Sequence, residues 1–180
     1  MNRTIRTRCA VALLALCGVM QARGALLEVT GRIVPAPCTL VLSPVDMGKV
    51  PLADFLGSPG SGVNYGKNFQ VGLAGCDLQT LHSASLDFTG ATVPGSNDTL
   101  LALTPDPRVA AGIGIQIVRT DATHPGDGLS VVFNRNEGIP FDVGSIKTSY
   151  DFKAFYSPVQ GAAPRAGTAN ATATVTLTYS

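Results

Sequence analysis

An antiparallel all-β sandwich is the fold class predicted by this sequence, on three observations. Short stretches in which apolar and polar residues alternate recur along the chain, a period that belongs to strands half-buried on one face. Turn-forming clusters separate them, in a chain with 20 Gly and 12 Pro. Beyond residue 24 no window carries an amphipathic helical pattern, and the two cysteines left there suit a single disulfide staple.

Residues 1–24 read as a secretory signal. Arg3, Arg6 and Arg8 precede the apolar run from Cys9 to Met20, and Ala22-Arg23-Gly24 offers small residues where a signal peptidase cuts. The run is too short to cross a bilayer, so export and not anchoring is expected, with Ala25 as the first mature residue. Lipid attachment at Cys17 is disfavoured by the bulk of Leu16 before it. Cleavage removes Arg3, Arg6, Arg8 and Arg23 but no carboxylate, so nine cations face twelve anions and the mature net charge is −3. No basic surface is left to hold nucleic acid. With Cys9 and Cys17 gone, Cys38 and Cys76 remain, and an exported chain with two cysteines is read as carrying one disulfide. Closing so long a loop stabilises a fold by about 4 kcal/mol in the chain-entropy account.

The mature elements follow in order. Leu27, Val29, Gly31 and Ile33 alternate and lead to Pro35-Ala36-Pro37. An apolar run from Cys38 to Leu42 and the segment Val45-Asp46-Met47-Gly48-Lys49-Val50 come next, then a Gly/Ser/Asn loop from Gly57 to Asn68. Strands are predicted at Phe69–Leu73, Leu86–Phe88, Leu101–Leu103, Ile113–Ile117, Leu129–Phe133 and Phe152–Tyr156, with turns at Pro94–Asp98, Pro105–Pro107 and His124–Gly128. The last stretch alternates most cleanly. Ala169, Ala171, Ala173, Val175, Leu177 and Tyr179 form an apolar row, and Asn170, Thr172, Thr174, Thr176, Thr178 and Ser180 a polar one. Such a strand is either zipped into the middle of a sheet or left with an edge that a second chain must cover.

Chemistry has little to stand on. Gly60–Asn68 lacks the spacing of a phosphate loop, and Asn68 stands where a magnesium-binding hydroxyl belongs. The carboxylates are scattered, no nucleophile motif is visible, and His82 and His124 stand at no metal-ligand spacing from the cysteines. No catalytic residue, metal site or cofactor is expected.

In this order the segments resemble one family, the pilin subunits of the chaperone-usher fimbriae of Gram-negative bacteria. Gly31-Arg32-Ile33-Val34-Pro35-Ala36-Pro37-Cys38 is similar to its N-terminal glycine-to-cysteine segment, and Val45-Asp46-Met47-Gly48 to the box after the first cysteine. Phe69–Cys76 resembles the strand that brings in the second cysteine. Gly112–Ile117 and Phe152–Tyr156 resemble two further strands; Tyr179 is penultimate, and Gly167 is fourteenth from the end.

The resemblance implies an immunoglobulin-like sandwich lacking its final strand: signal at 1–24, donor-strand extension at 25–36, pilin domain at 37–180. It implies a structural subunit that polymerises by donor-strand exchange and serves cell adhesion. Leu27, Val29, Gly31 and Ile33 would be the donor row; Gly167, Val175, Leu177, Tyr179 and Ser180 would belong to the strand beside the acceptor groove. The implied partners are a periplasmic pilus chaperone, an outer-membrane usher and other fimbrial subunits. The alternation at Leu27–Ile33 equally suits a plain first strand of a closed sandwich. A single-domain carbohydrate-binding module is the alternative function, but it needs an aromatic surface cluster, and the chain has no Trp and four Tyr.

Overall fold

The computed structural model describes residues 38–55, 61–75, 84–121, 127–136, 138–141 and 148–179, all within the compact unit Val34–Ser180. The signal, the extension with Leu27, Val29, Gly31 and Ile33, and the residues Cys76 and Ser180 lie outside them.

The described residues build eight strands: β1 (Thr39–Val41), β2 (Lys67–Ala74), β3 (Ala84–Gly90), β4 (Leu100–Leu101), β5 (Ile113–Arg119), β6 (Ile139–Phe141), β7 (Ser149–Pro158) and β8 (Ala173–Tyr179). One sheet runs β1-β2-β7-β5-β4 and the other β6-β3-β8, and every ladder in both is antiparallel. The predicted sandwich is therefore the observed one.

Its interior follows from the alternation. Tyr150, Phe152, Ala154 and Tyr156 of β7, Val71 and Leu73 of β2, and Ile115 and Ile117 of β5 face Leu86 and Phe88 of β3. Phe152 sits at the centre, with ring centroids 4.8 Å from Tyr150, 5.5 Å from Phe69 and 5.3 Å from Phe88. The last contact crosses between the sheets, and such ring pairs add about 0.5–1.5 kcal/mol each beyond the area they bury.

Three regions differ from the sequence reading. Residues 129–133 alternate as a strand should, and Val131 and Phe133 are buried, yet they form no ladder. The segment bonds first to β5, Val131 N donating to Ile117 O at 2.8 Å, and then to the other sheet, Asn134 N donating to Phe88 O at 2.9 Å. It crosses between layers, so its inward side chains pack while its backbone changes partner. β6 escaped prediction because Pro140 breaks the pattern; as an edge strand it tolerates a residue without an N–H. The loop read at Gly57–Asn68 contains a short 3-10 helix, Ser61–Tyr65, and yields to β2 at Lys67. A methyl on Gly62 would strike the Tyr156 carbonyl, so this helix lies hard against β7.

Candidate functional site

β8 has a ladder on one side only. It pairs with β3 from Ala84↔Tyr179 to Gly90↔Ala173, and among the described residues its other edge bonds to no strand. The alternation does what the sequence predicts: Thr174, Thr176 and Thr178 are exposed, while Ala173, Val175 and Leu177 turn toward the core. These inward residues are nonetheless only half-buried, whereas their ladder partners Leu86 and Phe88 are 0% and 4% exposed.

Opposite β8 runs the irregular segment Leu42–Val50, in which Val45, Met47 and Val50 pack on the core but stay half-exposed. A turn shapes this wall. Gly48 N donates to Asp46 Oδ1 at 2.9 Å, and Gly48 takes a left-handed φ of 66°, which glycine adopts at no steric cost. The Val-Asp-Met-Gly box is thus explained by its alternation: Val45 and Met47 pack inward, while Asp46 and Gly48 close the turn.

Between the walls lie two cavities. The larger, about 500 Å³, has Phe69, Phe88, Leu101, Ile115 and Ile117 on its floor and Ala171, Ala173 and Val175 at its rim. The second, about 410 Å³, lies beyond it and is lined by Val50, Leu52, Phe55, Ile113 and Tyr156, with Ala169 at its edge. Beside Ala169, Tyr156 Oη donates to Ala169 O at 3.0 Å and ties the inner face of one sheet to the approach to β8. Burial, helped by the charge of Asp46, pushes the Tyr156 phenol above its ordinary value, so it remains a proton donor into alkaline solution.

Gly167 lies before β8 rather than on it, at the lip of the second cavity. A methyl there would run into the backbone of Arg108 and Ala110, which explains a glycine where Ala110 N donates to Thr168 O at 2.8 Å and Thr168 N to Arg108 O at 2.7 Å. Val175 lines the larger cavity, and Leu177 packs half-buried on the core. Tyr179 stands in register with Ala84, and Cys38 packs on the core just before β1.

Sequence reasoning missed the wall Val45–Val50 as part of the site, and the contribution of Tyr156. The Val-Asp-Met-Gly box was the available signal for the first; nothing local marks the second. Among the described residues no cluster of His, Cys, Asp or Glu could hold a metal ion, and no helix is long and apolar enough to cross a membrane.

A search of curated proteins finds no match. Solved structures share the fold. The P pilus rod subunit PapA aligns at a TM-score of 0.56 and 21% identity, covering 86% of this chain and 100% of that one. The P pilus adaptor subunit PapF gives 0.50 and 16%, covering 83% and 100%. The CupB6 tip adhesin of Pseudomonas aeruginosa gives 0.58 and 22%, covering 80% of this chain and 38% of the adhesin. The sequence profile of the fimbrial protein family matches residues 27–180. The chain therefore belongs to the fimbrial protein family, as a structural subunit of a Gram-negative cell-surface fimbria with the fold of the chaperone-usher pilus subunits.

Proposed function

We propose that this chain polymerises by donor-strand exchange, its groove accepting an extended segment from another chain. One observation carries the reading: an edge strand whose inward row Ala173, Val175 and Leu177 stays half-exposed beside cavities floored by core residues. An added strand would complete the backbone ladder on β8 and bury that row, a known mode of recognition in which main-chain bonds give affinity and alternate side chains give register.

Residues 25–36 supply the matching segment. Leu27, Val29, Gly31 and Ile33 share one face of an extended chain, and their order of bulky, absent, bulky suits two cavities whose linings meet between Asn170 and Ala171. Val29 would enter the larger cavity, Gly31 would cross from one lining to the other, and Ile33 would fill the second. Donor and acceptor are different surfaces of one molecule, so the contact is heterologous and extends into an open filament.

In the same reading a periplasmic pilus chaperone covers the groove first, and the outer-membrane usher exchanges its strand for that of the next subunit. Cys38 and Cys76 form the disulfide that staples the first strands, and the fibre so built serves adhesion.

Joining a second copy of residues 25–36 to the C-terminus through a flexible linker tests the reading. The tethered chain should stay monomeric and unfold at a distinctly higher temperature, because a ligand bound only by the folded state adds its binding energy to stability. A tethered chain that self-associates and melts like its parent would overturn the proposal.

A further inference from the structure

The two ends of the groove differ in charge. Lys49 and Arg165 stand exposed at the rim of the second cavity, one from each wall, and among the described residues no carboxylate lines it. The neighbouring Asp46 accepts from Gly48 N at 2.9 Å, and Asp106 accepts from Arg108 N at 2.8 Å and from Thr168 Oγ1 at 3.3 Å. The larger cavity carries no charged residue among its described lining. One end of an apolar furrow therefore carries two cations in its described lining, while the carboxylates of Asp46 and Asp106 stand outside that lining and are already engaged by the chain's own donors.

Among the described residues every strand ladder is antiparallel, the one parallel pairing being the isolated bridge Val109↔Thr168. A strand added to β8 in that sense runs its C-terminal half past Asn170 toward Arg165. In this chain's own extension that half carries Arg32 beside Ile33. Seated there, it would bring a third cation to Lys49 and Arg165.

We propose that this end of the groove selects its occupant by charge: it fits a neighbouring subunit whose donor segment carries a carboxylate beside its last bulky apolar residue, and it disfavours a second copy of this chain. The inference rests on the donor-strand reading above. Charges at an exposed rim act weakly one by one, and two acting together alter affinity by about three- to tenfold at low salt. That suffices to bias which subunit follows which without forbidding self-assembly.

The test uses the mature chain, residues 25–180, and follows its self-association by light scattering. Arg32→Glu should assemble to the wild-type extent at about three- to tenfold lower concentration in dilute salt. Raising salt from about 0.02 M to about 0.5 M, which shortens the screening length several-fold, should promote wild-type assembly and weaken that of Arg32→Glu. Lys49→Glu with Arg165→Glu should reverse the preference, favouring the native Arg32. Arg32 lies on the donor, so its replacement leaves the acceptor domain intact, and Arg32→Gln should fall between the two. Equal assembly of wild type and Arg32→Glu at low salt, with the same salt dependence, overturns charge selection and leaves donor exchange standing. Failure of every variant to assemble at any salt overturns donor exchange itself.

Discussion

β3 and β8 lie side by side in one sheet, paired residue for residue from Ala84↔Tyr179 to Gly90↔Ala173, and each alternates apolar with polar. β3 has a strand on either side and its inward residues Ala84, Leu86 and Phe88 are buried. Among the described residues β8 has one neighbour, and its inward residues Ala173, Val175 and Leu177 are not buried. The alternation gives both strands the same inward face; the number of flanking strands decides how completely that face is covered. Burial is a property of what lies next to a strand, and the function proposed here lives in that difference.

The comparison can be broken by mutation. Leu86→Ala should destabilise the chain by about 2–5 kcal/mol, with or without a tethered donor, because it empties a closed core position that lines neither cavity. Leu177→Ala should cost far less in the untethered chain and several-fold more once a donor covers β8, read from urea midpoints of both forms. Equal losses at Leu177 in the two forms would mean that the row is already covered. Gly167→Ala should cost about 1–3 kcal/mol in both forms, since its methyl meets the backbone of Arg108 and Ala110.

Tyr156→Phe should remove about 0.5–1.5 kcal/mol through loss of the bond to Ala169 O. The pH dependence sharpens this. Burial raises the phenols of Tyr150 and Tyr156 above their ordinary value, so above about pH 10 the unfolded chain releases these protons first. Stability is full below that pH and falls as pH climbs through the folded-state values. Tyr156→Phe should make the alkaline decline shallower in a pH series of thermal melts.

Legibility varied with the range of the interaction. β2, β3, β5, β7 and β8 were readable because a period of two is a local signal. The terminal strand's role was half-readable: its pattern demanded a partner, and the alternatives of a central strand and a bare edge could be separated only by knowing which strands flank it. The wall Leu42–Val50 was seen as a motif but not as a wall, since its backbone is irregular and its task is set by β8, more than a hundred residues away in sequence. The crossing at 129–134 was misread for a related reason. Inward alternation reports side-chain packing and is silent about a backbone that bonds Ile117 and then Phe88.

The ring contacts around Phe152 bear on what an empty domain can do about its own gap. Phe152 touches Phe69 and Tyr150 in one sheet and Phe88 in the other, a brace that holds the two layers at fixed separation. Swinging the layers together to heal the opening would crush or dislodge those rings. Under the donor-strand proposal, such a brace denies the opening an inward route to closure and leaves it to an added strand.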